Sequence, residues 1–546
     1  MQLILPTSRQ LLHLDREFYC FIHFSLNTFT DKEWGFGDES PSIFNPTQFD
    51  ADQIVLTAKA AGMKGLILTC KHHDGFCLWP SRYTEHSVKN SPFRDGKGDV
   101  VLELSQACRR AGLEFGVYLS PWDRNHPDYG TPAYIDYYRA QLRELLTQYG
   151  EIFQIWFDGA NGGDGWYGGA NEQRKIDPTV YYDWENTWQI VRELQPNAVI
   201  FSDVGPDVRW VGNERGVAGN PCWYTIFDNG CAPGVANEHN LNSGNLDGDK
   251  FHIPECDVSI RPGWFYHETQ DDQVRSLKNL IDLYFHSVGR GATFNLNLPP
   301  DRRGLIHEND VAALKQFKAH FDATFNNNLA QDATVSNHNE DTVWYFDYDL
   351  SKIGNCNVVE LREDLVYGQR IIKWELEAFL YGAWQPVVSA ESVGYKRLIR
   401  FAPICATKFR VKIINCKAEP MLCGFGLFFE PSIDTDDKKV ETEYIKPDKA
   451  EKVDSRTIVL SFNNPTNIRG IKYLPKLDNV VSKYHIIFAD ESGKAVKECS
   501  GEFGNMLNNP WPQVVFCAGV FSSITFKAVD FCVGSVMSVD DVAILK

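Results

Sequence analysis

The sequence predicts a (β/α)8-like TIM barrel over residues 1–325, followed by all-β sandwich modules. Three observations support this fold class. Apolar strand segments alternate with helical patterns through the first 325 residues, and such alternation is typical of a parallel sheet. Glycines follow several of the helical patterns. Polar side chains stand at the carboxyl ends of the predicted strands, where barrel enzymes keep their catalytic groups. The predicted strands end near His23, Cys70, Ser120, Asp158 and Asp203.

Helical patterns fill the intervals between these strands. They cover Ala51–Ala61, Val100–Ala111, Tyr134–Tyr149 and Asp271–Val288, and the glycines that follow are Gly62, Gly112, Gly150 and Gly289. A glycine just past a helix adopts the left-handed conformation that returns the chain to the sheet. Two later strand candidates are Cys256–Ile260 and Thr293–Leu298. Seven or eight βα units in about 320 residues favour a closed barrel over an open sheet.

The pattern changes after about residue 330. Short apolar segments separated by polar turns, such as Thr342–Phe346 and Lys408–Ile414, are typical of an all-β fold. We predict one β-sandwich over residues 330–430 and a second over residues 438–546. The acidic, proline-containing stretch Glu430–Asp437 indicates a linker between them.

The composition and charge of the chain argue against two classes of protein, nucleic-acid-binding proteins and membrane-spanning proteins. Of 546 residues, 54 are basic and 72 acidic, which gives a net charge of −18. Nucleic-acid binding requires a basic surface and is therefore not expected. No run of about twenty apolar residues is present, so we expect no membrane span. The beginning of the chain lacks a signal-peptide pattern, which predicts either a cytoplasmic protein or a periplasmic or secreted one whose signal peptide has been removed.

Side chains suited to sugar binding stand at the predicted strand ends. Imidazoles and carboxylates hydrogen-bond sugar hydroxyls, and indoles cover the C–H faces of the ring. A glycosidase also requires two carboxyl groups, one ionised and one protonated. The candidates are His23, Glu33, Trp34, His72, His73, Trp156 and Asp158, with Asp203, Asp207, Arg209 and Glu214 after the fifth strand and Glu255 before the sixth.

Other interpretations of these residues exist. His23, His72 and His73 form a candidate metal site, as in a metal-dependent barrel hydrolase. Such hydrolases usually carry an HxH pair on the first strand, and only His23 stands there. The 14 cysteines show no CxxC pairs, so no zinc framework is indicated. We therefore expect neither a metal ion nor a cofactor. A third interpretation, a carbohydrate-binding protein with a degenerate site, is disfavoured by the intact Asp158 and Glu214.

These motifs resemble the glycoside hydrolase family 29 α-L-fucosidases over roughly residues 10–325. The most specific is Lys71–Trp79 (KHHDGFCLW). The segment Gly205–Glu214 (GPDVRWVGNE) resembles the branch of the family that prefers α-1,3- and α-1,4-linked fucose. Further matching segments are Phe21–Phe24, Asn27–Phe29, Glu33-Trp34, Ala61–Lys64, Gly116–Tyr118, Trp156–Asp158 and Asn295–Asn297.

The resemblance implies a fucosylated oligosaccharide as substrate and a retaining mechanism. Asp158 matches the family nucleophile, and Glu214 matches the acid/base of the α-1,3/1,4 branch. Glu255 is the alternative acid/base, because the other branch takes that residue from a different segment. The positions that match fucose-holding residues are His23, Glu33, Trp34, His72, His73 and Trp156. The C-terminal modules resemble galactose-binding-like, discoidin-type sandwiches, and we expect them to brace the barrel.

Overall fold

The computed structural model describes residues 3–227, 231–235, 238–433, 444–503, 506 and 512–546. Among these residues, eight parallel strands close into a barrel in chain order, and the last strand pairs with the first. The predicted fold class is therefore confirmed. The strands are β1 (Phe18–Ile22), β2 (Gly65–Lys71), β3 (Glu114–Leu119), β4 (Gln154–Trp156), β5 (Val199–Ser202), β6 (Val208–Trp210), β7 (Ile253–Ser259) and β8 (Thr293–Asn297).

Helices occupy the stretches before, between and after the strands. Asp50 and Asp99 cap the helices that follow them by accepting hydrogen bonds from first-turn N–H groups. Gly62, Gly112 and Gly150 adopt the predicted left-handed conformation, with φ of 91°, 72° and 86°. The same prediction is wrong for Gly289, because the helix before it ends at His286 and the glycine with positive φ there is Gly291. The helices are α1 (Ser8–Leu14), α2 (Leu26–Thr30), α3 (Ala51–Ala60), α4 (Val100–Ala111), α5 (Pro132–Gln148), α6 (Trp184–Leu194), α7 (Glu238–Ser243), α8 (Leu277–His286) and α9 (Glu308–Phe325).

Several predicted element bounds are wrong. The helix predicted over Asp271–Val288 begins only at Leu277, because the Ser276 side chain caps it by accepting the N–H of Asn279. The sixth predicted strand, Cys256–Ile260, instead spans Ile253–Ser259. Glu255 therefore lies within a strand rather than before it. The cause is tertiary: β7 pairs with β6, and this pairing extends the strand back to residue 253.

One compact unit holds the chain up to Leu26, Trp34–Val258 and Ser276–Ile433. It contains the barrel strands and an antiparallel sheet whose buried core includes Trp374, Leu376 and Phe409. The strands of this sheet are β9 (Thr334–Glu340), β10 (Val343–Glu363), β11 (Ile371–Leu380), β12 (Ala383–Glu391), β13 (Arg397–Cys416) and β14 (Leu422–Phe428). Their order is β9-β10-β13-β11-β12, with β14 paired to β10.

A second compact unit consists of Asn27–Glu33, Ser259–Arg275 and the described residues after position 434. Its antiparallel sheet encloses a core that includes Ile471, Ile486 and Phe526. The strands are β15 (Tyr444–Ile445), β16 (Lys449–Lys452), β17 (Thr457–Tyr473), β18 (Val480–Ala489), β19 (Ala495–Glu502), β20 (Gln513–Val533) and β21 (Val542–Leu545). Residues 434–437 of the predicted linker, and the predicted start of the second sandwich at 438, lie outside the described residues.

Within the described parts of the chain, none of the helices combines the length and the hydropathy that crossing a bilayer requires.

Candidate active site

Asp158 lies just beyond the end of β4 and is held by two hydrogen-bond donors. The Tyr118 hydroxyl donates to Oδ2 over 2.8 Å, and the backbone N–H of Ala160 donates to Oδ1 over 2.8 Å. The side chain is 24% exposed. The backbone N–H of Phe157 donates to the Phe201 carbonyl, which continues the β4–β5 pairing up to the carboxylate. The strand end thus presents an oriented and partly exposed carboxylate.

Three histidines from β1 and β2 gather beside this carboxylate. His73 Nε2 lies 3.8 Å from Asp158 Oδ2. The rings of His72 and His73 have centroids 4.1 Å apart, and those of His23 and His72 are 5.6 Å apart. His23 Nδ1 lies 2.8 Å from Asn297 Oδ1 at the end of β8. The structure thus brings His23, His72 and His73 together beside Asp158.

Burial keeps the two consecutive histidines neutral. Burial lowers the pKa of His73 to about 4, although the Asp158 charge opposes the shift. The pKa of His72 also lies well below its usual value, first because of burial and then because of His73 and His23. His73 Nδ1 lies 2.7 Å from the Ser120 hydroxyl, which orients the ring. A neutral imidazole offers one donor and one acceptor nitrogen, a suitable pair for sugar hydroxyls.

Two of the candidate tryptophans, Trp34 and Trp156, lie beside these residues. Trp34 is 51% exposed, and its ring stands edge-on to those of His73 and Trp122, with centroids 5.4 and 5.6 Å away. Trp156 is buried and stacks near Tyr118 at 5.4 Å. Trp34 therefore contacts the histidine cluster, and Trp156 contacts Tyr118, which donates to Asp158.

Glu33 belongs to the second compact unit and forms a separate hydrogen-bond network there. It accepts the backbone N–H of Trp264 over 2.8 Å and contacts His267 Nε2 at 2.7 Å. Asp31 lies 2.9 Å from the other ring nitrogen of His267. Burial lowers the pKa of His267, but hydrogen bonds to Asp31 and Glu33 outweigh burial and raise it to about 9. An imidazolium therefore bridges two carboxylates at neutral pH.

Glu255 is fully buried inside the barrel and has four side-chain donors. The hydroxyl of Tyr19 donates to it, as do Gln154 over 2.7 Å, Trp156 over 2.8 Å and Asn295 over 3.2 Å. Burial raises its pKa, and these hydrogen bonds oppose the rise. Glu255 holds the Trp156 indole by accepting its N–H. The Trp156 ring in turn packs against Tyr118, which donates to Asp158.

Glu214 lies on the loop that follows β6 and is partly exposed. Asn213 holds the turn around it by accepting the backbone N–H of Arg215 over 3.1 Å. Two further carboxyl groups lie close to the candidates. Asp203, at the end of β5, has its pKa raised to about 7 by burial and, less strongly, by Asp158. Asp257, on β7, has a raised pKa caused by burial and then by Glu214.

The sequence names Asp203 among the sugar-binding candidates without a specific role, and it does not single out Asp257. The available signal for Asp257 was its place between the apolar residues Cys256 and Val258 within a strand. Among the residues that the structure describes, no three His, Cys, Asp or Glu side chains are arranged to hold a metal ion.

Comparison with known proteins agrees with this architecture. The sequence matches the profile of the alpha-L-fucosidase family over residues 13–324. Alpha-L-fucosidase 1 of Arabidopsis thaliana is 41% identical over 461 residues, which cover 78% of this chain and 88% of the plant protein.

Solved structures show the same relationship. A glycoside hydrolase 29 family member from an unknown rumen bacterium is 42% identical, with a TM-score of 0.77 and complete coverage of both chains. A GH29 fucosidase of Ruminococcus gnavus, solved in complex with fucose, is 30% identical with a TM-score of 0.70 and covers 79% of this chain and 95% of its own. The family resemblance found in the sequence is confirmed: the chain belongs to the alpha-L-fucosidase family and is a glycoside hydrolase of family 29.

Proposed function

We propose that this protein is an exo-acting, retaining α-L-fucosidase that removes terminal α-1,3- and α-1,4-linked L-fucose from Lewis-type or other branched glycans. The observation that carries the proposal is Asp158, an accessible carboxylate held by Tyr118 and the Ala160 N–H beside neutral histidines. A retaining glycosidase requires an oriented, ionised carboxylate of this kind as its nucleophile.

In the proposed mechanism, Asp158 attacks the anomeric carbon of fucose and forms a covalent glycosyl–enzyme. Glu214 gives its proton to the departing glycosidic oxygen in the same step. In the second step Glu214 takes a proton from water, the water oxygen bonds to the anomeric carbon, and the bond to Asp158 breaks. Fucose leaves with its original anomeric configuration.

The fucose ring would be held by the cluster around Asp158. Neutral His72 and His73 offer donor and acceptor nitrogens for hydroxyl groups, and His23 completes the set of imidazoles. Trp34, which is half exposed, offers a ring surface to the apolar face of the sugar. Trp156 is buried and is assigned to fucose binding from the family resemblance. Glu33 is assigned to fucose binding from the family resemblance.

Glu214 is favoured over Glu255 as the acid/base. The two Glu255 oxygens already accept hydrogen bonds from four side chains, and the residue is fully buried. An acid/base must approach both the leaving oxygen and an incoming water. Glu214 is partly exposed and stands in the segment whose sequence suggests the α-1,3/1,4 preference.

A parallel digestion of a Lewis trisaccharide and of 2′-fucosyllactose tests the proposal, with free fucose as the readout. We expect release from the Lewis sugar alone, unchanged by a strong chelator. Asp158→Ala should lower this release by roughly a thousandfold or more, because it removes the nucleophile.

Three other outcomes would contradict parts of the proposal. Release mainly from 2′-fucosyllactose would contradict the linkage preference and favour Glu255 as acid/base. Loss of activity on chelation would favour a metal-dependent hydrolase that uses His23, His72 and His73. Binding of either sugar without any release would favour a carbohydrate-binding protein.

A further inference from the structure

The connections of the β9–β14 sheet hold the segment that follows Glu214 in the chain. Gln369 lies between β10 and β11 and is 3% exposed. Its side-chain amide donates to the Cys222 carbonyl over 3.2 Å and accepts the Tyr224 N–H over 3.0 Å. Ser392, between β12 and β13, accepts the Cys222 N–H over 3.4 Å. Two side chains of the sheet connections thus bind three backbone groups in the long connection between β6 and β7.

The Tyr224 hydroxyl adds further contacts at the same place. It accepts the N–H of Tyr395, which comes just before β13, over 3.2 Å. It also donates to the carbonyl of Gly291, which comes just before β8. Arg397, the first residue of β13, donates to the Asn220 side-chain oxygen over 2.5 Å. The contacts with the sheet therefore extend from Asn220 to Tyr224.

The two sheet connections that make these contacts are fixed to each other by Glu363. This residue ends β10 and is 2% exposed. Its carboxyl group accepts the N–H groups of Arg370 and Ile371 over 2.8 and 2.9 Å, and the N–H of Gly394 over 2.7 Å. The β10–β11 and β12–β13 connections are thus held together as one surface for the barrel segment.

The segment that the sheet holds is in contact with both ends of the turn around Glu214. Asn242 of α7 donates to the carbonyls of Val211 and Val217 over 3.1 and 2.9 Å. Its own carbonyl oxygen lies 3.8 Å from the Cys222 Sγ. Val211 and Cys222 also belong to one buried apolar cluster. The contacts therefore run from the sheet through Cys222 and Asn242 to the turn that carries Glu214.

We propose that the β9–β14 sheet positions the acid/base through this chain of contacts, with Gln369 as the positioning residue. The inference rests on the proposed function, in which Glu214 is the acid/base. It goes beyond bracing of the barrel, because the sheet then determines where one reacting group lies. Acid catalysis depends on such placement, since the proton must be delivered to the leaving oxygen at hydrogen-bond distance.

The test compares two substrates that differ in their need for an acid. The sugar hydroxyl released from a Lewis trisaccharide requires a proton, whereas the nitrophenolate released from an aryl fucoside leaves with little help. Gln369→Leu removes both hydrogen bonds of the amide and keeps a side chain of similar size. We expect kcat/KM to fall about tenfold or more on the Lewis trisaccharide, and less than about threefold on the aryl fucoside.

Asn328→Leu is the matched control, because it removes an amide with the same kind of backbone contacts elsewhere. Asn328 donates to the Phe425 carbonyl over 3.2 Å and accepts the Leu427 N–H over 3.1 Å. It therefore ties β14 to the segment after α9, and its loss should leave the ratio of the two kcat/KM values unchanged. The same selective loss in this control would overturn the proposal. So would an equal fall on both substrates in Gln369→Leu, or no fall on either.

Tyr224→Phe is a second variant that keeps the ring and its packing. It removes the hydroxyl that joins Tyr395 to Gly291, and it decides the question if circular dichroism shows that Gln369→Leu is unfolded. We expect a fall of about threefold on the Lewis trisaccharide, as for the loss of one hydrogen bond, with no change on the aryl fucoside. A ratio of the two kcat/KM values equal to that of wild type would then overturn the proposal.

Glu214→Ala separates a failure of this inference from a failure of the proposed function. It should lose nearly all activity on the Lewis trisaccharide, and azide should raise its turnover of the aryl fucoside, because azide needs no general base. If Glu214→Ala behaves in this way and Gln369→Leu shows no selective loss, the inference alone is overturned. Normal activity of Glu214→Ala on the Lewis trisaccharide would overturn the acid/base assignment, and the inference with it.

Discussion

His73 shows how a single site residue couples function to stability. It is buried beside Asp158, with its other ring nitrogen at the Ser120 hydroxyl, and its pKa is lowered to about 4. Above pH 6.5 the imidazole is neutral in the folded and the unfolded chain. As the pH falls from 6.5 toward 4, the unfolded chain takes up a proton that the folded chain does not, so the free energy of unfolding falls.

We therefore predict that acidification destabilises the protein through this residue. The loss should reach at most about 1.4 kcal/mol per pH unit for one histidine. His73→Asn should reduce the pH dependence of the free energy of unfolding, measured in urea at pH 7, 6 and 5. His338→Asn is the matched control, because His338 is exposed on β9 and should leave the dependence unchanged. Equal slopes for wild type and His73→Asn would contradict the prediction.

The sequence predicts the cluster of Asp158 and the histidines because these residues directly follow three strands: His23 follows β1, His72 and His73 follow β2, and Asp158 lies just beyond β4. That position is a local property of the chain. The network around Glu255 is different, since its donors Tyr19, Gln154 and Asn295 come from three other strands. Nothing in the sequence near residue 255 shows that these partners meet inside the barrel.

At the scale of elements, the end of β2 is fixed by a buried ion pair. The Lys71 ammonium donates to Asp123 and to Gln141, each over 3.0 Å, and both charged side chains have at most 1% of their surface exposed. The Asp123 carboxylate also accepts the backbone N–H groups of Asn125 and His126. The segment after β3 is thus fastened to the strand that carries His72 and His73.

We predict that Lys71→Met destabilises the protein by about 3–5 kcal/mol, because Asp123 is left charged in a buried place. Thermal unfolding and urea unfolding measure the loss. Arg110→Met is the matched control, since Arg110 pairs with Asp52 and both are more than half exposed. This control should lose less than about 1 kcal/mol. Similar losses in the free energy of unfolding of the two variants would show that the buried ion pair stabilises the protein no more than the exposed one.

The ends of helices and strands can be predicted from the sequence where a nearby side chain, such as a helix cap, fixes them. The starts of α3 and α4 follow from Asp50 and Asp99, whose side chains cap the first turn. The strand Val208–Trp210 was not predicted, because three residues carry too little pattern and only its pairing with β5 and β7 defines it. Tertiary pairing also decides the length of β10. The sequence predicts a short strand over Thr342–Phe346, but the strand runs from Val343 to Glu363 because it pairs with three other strands.

At the scale of the first compact unit, the β9–β14 sheet joins the barrel through charged side chains. Lys396 lies between Tyr395 and the first residue of β13, is nearly buried, and contacts Glu17 at 2.5 Å, just before β1. Arg362 of β10 lies 3.4 Å from the same carboxylate. Arg400 of β13 binds Asp282 of helix α8 over 2.7 Å. The bracing role expected from the sequence is consistent with these contacts.

Lys396→Met should therefore loosen the barrel and the sheet together. Its loss leaves Glu17 partly buried with fewer partners, at a cost of about 3 kcal/mol. Hydrogen exchange read by mass spectrometry should show faster exchange both in peptides of β1 and in peptides of β10. Lys408→Met is the matched control, because Lys408 pairs with Asp349 inside the sheet and both are about half exposed, 51% and 52%; it should leave exchange in β1 unchanged. Faster exchange confined to β10 in Lys396→Met would contradict the prediction. It would mean that the contact between Lys396 and Glu17 does not stabilise the barrel strands.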